Sequence, residues 1–135
     1  AVTLYVELPY GVLVVSPIDD FIATGISSGP FSPASKTYTL SNFGGATLDF
    51  SVTKNAAWLD LSTISDSIPG YDSTTVTLTL NTEAEKLLFG NYTDTITFSN
   101  DIDATQDATR LVDLTVERKP VSWGMFLPAI INGKK

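Results

Sequence analysis

The 135-residue sequence contains no cysteine and no histidine. The first absence excludes disulfide bonds, thiol nucleophiles and zinc sites built from thiolates. The second removes the side chain that most often acts as a general base and as a metal ligand near neutral pH. Stability must therefore come from packing, and a single domain of this size buries roughly two-thirds of its unfolded surface, which is enough for a core of its own.

Basic residues are also scarce: eight Lys and Arg stand against fifteen Asp and Glu, which gives a net charge of -7. An acidic surface repels phosphate backbones, and the sequence has no basic stripe with interleaved aromatic residues. Long apolar runs are missing as well, since the longest, at residues 125–131, is far below the roughly 20 residues of a membrane-spanning helix. We predict neither a nucleic-acid partner nor a membrane span.

No arrangement of residues supports catalysis. The best candidates for a carboxylate pair are Asp19, Asp20 and Asp72. Glycoside hydrolysis requires two carboxyl groups that face each other at roughly 5 to 10 Å, whereas Asp19 and Asp20 are neighbours and would point to opposite faces of a strand. The sequence therefore predicts a protein that is not an enzyme and has no catalytic residues.

Short β-rich runs separated by turn residues recur at intervals of roughly 10 residues, which is typical of an all-β sandwich. In residues 73–80, apolar residues alternate with threonine, which predicts a strand with one buried and one solvent-facing side. The predicted strands are residues 2–7, 12–15, 36–42, 48–54, 58–62, 73–80, 91–99 and 109–117.

Helix-forming residues are confined to residues 82–89. Thr82 is predicted to be the N-cap, with Glu85 three residues later completing a capping box, and Gly90 ends the helix. We expect one short helical turn that covers the end of the core with Leu87 or Leu88.

The two ends of the sequence share a pattern. Residues 2–7 and 112–117 both read Val-x-Leu-x-Val-Glu, 110 positions apart, which indicates one period of a tandem array unless the match is due to chance. Residues 1–8 would then be the last strand of a preceding repeat or a linker, 12–117 the sandwich, and 118–135 an apolar tail or linker. Residues 1–7 and 121–131 are expected to contact neighbouring domains or other copies of the chain.

Several segments together resemble the BACON domain family over roughly residues 12–117. They are Pro30-Phe31-Ser32-Pro33, residues 36–42, Ala57-Trp58-Leu59, residues 73–78 and residues 90–98. The resemblance implies an immunoglobulin-like antiparallel β-sandwich of about seven strands. It also implies a non-catalytic module of bacterial surface and secreted proteins, in tandem or beside catalytic domains, for which carbohydrate or mucin binding has been proposed. We therefore expect an extracellular or cell-surface location in a bacterium.

The residues that carry this resemblance are predicted to be structural. Trp58 is similar to the core tryptophan of the family, and a large aromatic residue at the start of a strand is more often part of a core than a sugar platform. Tyr92, two residues after Gly90, fits a tyrosine corner whose hydroxyl bonds to the chain just upstream. Phe31, between two prolines, is expected to close one end of the sandwich.

The acidic segment at residues 100–107 suggests the only candidate cofactor, a calcium ion. Asp101, Asp103 and Asp107 supply the hard oxygen ligands that calcium prefers, in what we expect to be a flexible hairpin. The segment lacks the glycine and the bidentate glutamate of an EF-hand loop. A solvated loop between the last two strands is the alternative.

Two functional classes remain open. A carbohydrate-binding module would expose aromatic residues together, and the candidates are Tyr5, Tyr10, Tyr71 and Trp123, of which we select Tyr71 and Trp123. A spacer or assembly module would show a surface of Ser, Thr and Asp, with contacts at the chain ends. The sequence favours the spacer, because Ser and Thr occupy the outer positions of the strands.

Overall fold

The computed structural model describes residues 10–120, and these residues form ten β-strands and two 3-10 helices. The predicted contacts of residues 1–7 and 121–131, and the predicted sites at Tyr5 and Trp123, lie outside the described residues. The strands are β1 (Leu13–Ser16), β2 (Phe21–Ile26), β3 (Phe31–Ser32), β4 (Ser35–Asn42), β5 (Leu48–Thr53), β6 (Leu59–Leu61), β7 (Ser65–Ile68), β8 (Ser73–Leu80), β9 (Gly90–Asn100) and β10 (Ala108–Glu117).

The strands form two sheets that enclose one core. One sheet has the order β1-β4-β8-β6 and the other β3-β2-β10-β9-β5-β7. All pairings are antiparallel except β2 with β10, which run parallel from Phe21 beside Val112 to Ile26 beside Glu117. The parallel pair arises because one edge segment changes sheets: β1 pairs with β4, Pro17 interrupts it, and the chain continues in the same direction as β2. The predicted immunoglobulin-like β-sandwich is confirmed.

Three strands are additional to the predicted ones, and each has a physical reason for its weak signal. β2 contains Gly25, whose missing side chain lets Phe31 and the Pro30 carbonyl approach closely. β3 has only two residues, with prolines on both sides. β7 reads Ser-Asp-Ser-Ile and buries only Ile68. Edge strands of this kind are held by a neighbouring strand rather than by a strong β pattern of their own.

The core follows the alternation that the sequence predicts. Val76 and Leu78 of β8 are fully buried, while Thr75 and Thr79 on either side are exposed and Thr77 between them is partly buried. Burying one such side chain contributes about 1.5 to 3 kcal/mol, so the alternation accounts for much of the stability of the sandwich. The Tyr38 and Phe98 rings join the two sheets at the centre, with centroids 5.5 Å apart in a tilted arrangement.

The predicted helical turn is present but shorter, as a 3-10 helix at Ala84–Lys86. The predicted capping box is wrong: the Glu83 amide donates a hydrogen bond to the Asn81 side chain instead, so Asn81 supplies the side-chain acceptor expected from Thr82. Ala84 is fully buried and Leu87 packs on the core, whereas Leu88 is exposed. The turn therefore covers the end of the core with Ala84 and Leu87.

The strand directions define two opposite ends of the sandwich. At one end, here called the entry end, Tyr10 leads into β1, and the loops at residues 43–47, 69–72 and 101–107 connect strands. At the other, here called the exit end, β10 finishes beside the end of β2, near residues 27–30 and 82–89. The described part of the chain therefore begins at one end of the sandwich and finishes its last strand at the other.

Four polar side chains are buried between the sheets, namely Asn42, Asp94, Asn100 and Arg110. Every buried side-chain nitrogen and oxygen of the described residues has a hydrogen-bond partner. Unpaired buried polar groups are costly, so these bonds fix the loops that they reach. Within residues 10–120, no helix is long and apolar enough to cross a membrane.

Candidate binding surface at the entry end

A groove at the entry end exposes two aromatic side chains next to a carboxylate. Its volume is about 400 Å³, and Phe43 and Tyr71 are 58% and 63% exposed. The groove is lined by Ser41, Asn42, Phe43, Tyr71, Asp72 and Ser73. Single exposed hydrophobic residues are common, but exposed aromatic residues that are grouped together often mark a contact with a ligand or a partner, and here two of them border one groove.

The backbone that carries Tyr71 is unusual. Its φ angle is +62°, a left-handed conformation that costs a non-glycine residue free energy. Two hydrogen bonds hold the turn, from the Tyr71 amide to the Gly44 carbonyl at 3.0 Å and from the Asp72 amide to the Pro69 carbonyl at 3.1 Å. Gly70 packs so close to Gly45 that a side chain there would overlap the Gly45 carbonyl. The fold thus holds Tyr71 outward in a conformation that the chain alone disfavours.

A second cavity opens at the same end and is mostly apolar. Its volume is about 320 Å³, and its lining includes the partly exposed Tyr10 and the exposed Ile102, with Asp103 at the side. Tyr10 lies next to the loop that carries Phe43. The two are so close that a side chain on Gly44 would overlap the Tyr10 carbonyl. The two cavities therefore belong to one surface.

The three aspartates proposed as calcium ligands lie at this end. The sequence predicts that their loop is a flexible hairpin, but each of the three carboxylates accepts hydrogen bonds from neighbouring residues. Asp103 accepts from the Thr105 hydroxyl at 2.6 Å and the Thr105 amide at 3.1 Å, and these bonds lower the pKa of its carboxyl. Asp101 accepts from the Ser51 hydroxyl at 2.8 Å, and Asp107 from the Asn100 amide at 3.2 Å.

These aspartates serve different parts of the loop, which contains a 3-10 helix at Ala104–Gln106. Within the described part of the chain, no group of three or more acidic side chains is arranged to hold a metal ion. The calcium site stays a prediction.

The residues predicted to be structural occupy structural positions. Trp58 and Phe31 are both buried at 8% exposure and belong to the core. The Tyr92 hydroxyl donates to the Leu88 carbonyl at 2.8 Å, four residues upstream, which is the hydrogen bond of a tyrosine corner. All three side chains are thus engaged by the fold rather than presented as a ligand platform.

The predicted aromatic platform is therefore brought together only in part. Tyr71 lines one groove with Phe43, which the sequence did not single out, and Tyr10 lines the second cavity at the same end. The local sequence could have identified Phe43 as exposed. It directly follows β4 and precedes two glycines, which places it in a turn rather than at a buried position of a strand.

Carboxylates considered for catalysis do not form a pair at this surface. Asp72 lines the groove, and neither Asp19 nor Asp20 does. Asp20 accepts a hydrogen bond from the Leu111 amide at 2.9 Å, and the Asp19 carbonyl accepts from the Tyr38 hydroxyl at 2.7 Å. The surface offers apolar contact and hydrogen bonds.

No protein-family model matches the sequence, and no curated protein sequence matches it. Solved structures do match its fold. The ASH/PapD-like domain 7 of human CEP192 aligns with a TM-score of 0.52 at 12% identity, over 90% of this chain and 95% of that domain. The E. coli chaperone DraB aligns with a TM-score of 0.53 at 10% identity, over 83% of this chain and 57% of the chaperone.

A third similar structure is the CsuC–CsuE chaperone–tip adhesion subunit complex of Acinetobacter baumannii, with a TM-score of 0.51 at 10% identity. The match covers 90% of this chain and 66% of the matched one. At these identities the likeness establishes the immunoglobulin-like fold alone. The function has to be argued from the surface of this chain.

Proposed function

We propose that this chain is a non-catalytic spacer module of the BACON type within a larger bacterial surface or secreted protein. The observation that carries the proposal is that the described part of the chain begins at one end of the sandwich and finishes its last strand at the other. A module built this way extends a chain in a line. A fold whose two ends lie side by side would instead place its neighbours next to each other.

The length of the strands sets how far each module extends the chain. β9 has 11 residues, which at about 3.3 Å per residue correspond to roughly 36 Å from one end of the sandwich to the other. The folded module therefore provides a fixed distance, whereas a flexible linker of equal length provides a distribution of distances.

Short or occupied edges also suit a spacer. Edge strand β7 carries Asp66, and edge strand β3 is only two residues long. On β1, the Leu13 amide donates to the Gln106 side chain and the Val15 carbonyl accepts from Arg110, both at 2.8 Å. Such edges disfavour the addition of a strand from another chain. The remaining edge strand, β6, has only three residues, so the edges offer little backbone for contacts with other modules.

The spacer proposal predicts a long, fixed distance between the ends. Because the chain has no cysteine, Thr47→Cys and Lys119→Cys create a unique pair of labelling sites, one at each end. We expect energy transfer to report about 35 to 45 Å between the labels in one copy, and at least about 35 Å more between the outermost labels of two copies in tandem.

The same-end pair Thr47→Cys and Asp72→Cys serves as the control and should give efficient transfer. A tandem whose outer labels are no farther apart than those of a single copy would mean that the modules fold back on each other. That result would contradict the spacer function.

A second candidate function, glycan binding, is favoured by the groove that Phe43 and Tyr71 border. Sugar rings stack on aromatic faces, and the Asp72 carboxylate beside them can accept hydrogen bonds from hydroxyl groups. The acidic surface favours neutral glycans over acidic ones.

A glycan-array screen tests this candidate. We expect Phe43→Ala and Tyr71→Ala each to weaken binding at least about tenfold, because each removes a stacking surface at the centre of the site. Phe89→Ala removes another exposed aromatic side chain, at the exit end, and is the control that should bind normally. Binding that requires calcium would support Asp101, Asp103 and Asp107 as ligands. No binding by the folded protein would rule out glycan recognition.

A further inference from the structure

We infer that the entry end of one copy of this chain binds the exit end of a second copy. The inference rests on the proposed spacer function, in which copies follow one another in a line, and it identifies the surfaces that meet. Both surfaces lie within the described residues, so the inference is independent of the predicted contacts at residues 1–7 and 121–131.

The entry surface combines exposed apolar side chains with negative charge. Phe43, Tyr71 and Tyr10 are accompanied by Ile102, which is 78% exposed. Around them stand six carboxylates and, among the residues that the structure describes, no lysine or arginine. The six are Asp49, Asp66, Asp72, Asp101, Asp103 and Asp107.

The exit surface combines exposed apolar side chains with positive charge. Leu88 and Phe89 are 75% and 51% exposed, and the Arg118 guanidinium lies 3.7 Å from the centroid of the Phe89 ring. Lys119 follows Arg118, and both are exposed. A guanidinium stacked on an aromatic ring keeps its edge donors available for a carboxylate of another molecule.

Charge is segregated along the whole sandwich. Apart from the buried Arg110 and from Lys54, which follows a strand end paired near the middle of β9, every described basic residue lies toward the exit end, where it is balanced by acidic neighbours. The basic residues there are Lys36, Lys86, Arg118 and Lys119, and the acidic ones are Asp60, Glu83, Glu85 and Glu117, while Asp94 and Asp113 lie near the middle with Lys54. The entry end is thus strongly negative and the exit end is close to neutral with a cationic patch.

This polarity selects the orientation of the contact. Two entry ends would bring twelve carboxylates together, whereas an entry end against an exit end places Asp72 or Asp101 near Arg118 and covers apolar side chains on both sides. The surfaces differ, so the contact is heterologous and leaves a free entry end and a free exit end on every assembly. Repetition of the contact produces lines of copies rather than a closed dimer.

Sedimentation equilibrium of the full chain tests the contact. We expect the average mass to rise above the 14.5 kDa of one chain as the concentration increases at low salt, without a limit at two copies. Raising the salt from about 20 to about 300 mM should weaken the association at least about tenfold, because surface charges are screened beyond a Debye length.

Charge-reversal variants then identify the two surfaces that bind each other. The double variant Arg118→Glu with Lys119→Glu makes the exit end negative like the entry end, and the double variant Asp72→Lys with Asp101→Lys places cations opposite Arg118 and Lys119. We therefore expect each variant to associate much more weakly than the wild type. Mixing the two variants should restore association, because opposite charges face each other again. Asp19→Lys with Asp113→Lys changes the net charge equally on the side of the sandwich and is the control for the second variant.

The results of these experiments test the head-to-tail contact and the spacer function separately. A wild-type chain that stays monomeric at low salt, association that stops at two copies, or variants that associate like the wild type would each overturn the head-to-tail contact. The end-to-end distance within one copy does not depend on association. A monomer that keeps this distance would leave the spacer proposal standing, while a short distance would contradict that proposal itself.

Discussion

Asn42→Ala is expected to lower the free energy of unfolding by about 3 to 5 kcal/mol, because it leaves several buried backbone groups without partners. The Asn42 side-chain oxygen accepts from the Val12 amide at 3.0 Å and the Gly44 amide at 2.9 Å. Its side-chain nitrogen donates to the carbonyls of Ala46, Ile68 and Pro69, at 2.8 to 3.2 Å. One side chain therefore ties β1 to the loops that hold Phe43 and Tyr71.

Urea denaturation measures this change, and Asn91→Ala is the matched control. Asn91 also donates hydrogen bonds from its side chain, to Asp113 and Thr115, but it does so on the exposed face of β9. Water can replace those partners, so we expect the control to lose less than about 1 kcal/mol. Equal losses in the two variants would mean that the buried hydrogen bonds of Asn42 are not what stabilises the entry end.

Arg110→Met is expected to cost about 2 to 4 kcal/mol, although methionine fills much of the same volume. The Arg110 guanidinium group donates to the carbonyls of Val15, Pro17 and Thr109 at 2.8 to 2.9 Å. Two of these carbonyls flank the point where the edge segment changes sheets. The substitution leaves them without the charged donor, and methionine supplies no replacement.

Arg118→Met is the control for the loss of a guanidinium, because Arg118 is exposed and its removal should change stability by less than about 1 kcal/mol. Tyr38 provides a second readout. Burial raises its pKa to about 12, and the charge of Arg110, 5.6 Å from its ring centroid, acts to lower it. Arg110→Met should therefore shift the ionisation of Tyr38 to higher pH, as ultraviolet titration would show. An unchanged titration together with unchanged stability would contradict the role given to Arg110.

The raised pKa of Tyr38 makes the stability of the fold decrease at high pH. The ordinary value for tyrosine is 10.0, so between about pH 10 and 12 the unfolded chain ionises Tyr38 while the folded chain keeps it neutral. The contribution of Tyr38 is therefore fully present below pH 10 and is lost as the pH rises toward 12.

Asn42 and Arg110 show which parts of the structure could be predicted from the sequence. The alternation predicts β4 and β10 well, and it places Tyr38 and Leu40, or Val112 and Leu114, on the inner face. Continuing the same period by one step reaches Asn42 on β4 and Arg110 on β10. A polar residue at an inward position indicates a buried network. Its partners are backbone groups from distant loops, which the pattern of one strand cannot supply.

The candidate surface was less predictable for a similar reason. Tyr71 and Tyr10 could be named as exposed aromatic residues, but their location at the same end of the sandwich depends on the register of β1 with β4 and on the close packing of Gly44 and Gly70. The charge segregation has the same origin, since Asp49, Asp66 and Asp101 come from three separate elements that the sheet topology brings together.

The parallel pairing of β2 with β10 has a mechanical consequence. If the chain is stretched from both sides of the sandwich, the tension pulls β2 toward the entry end and β10 toward the exit end. The two strands are then loaded in shear, so the hydrogen bonds along their six residue pairs must break together rather than one after another. A fold with this arrangement resists extension along the same axis on which the proposed spacer would separate its neighbours.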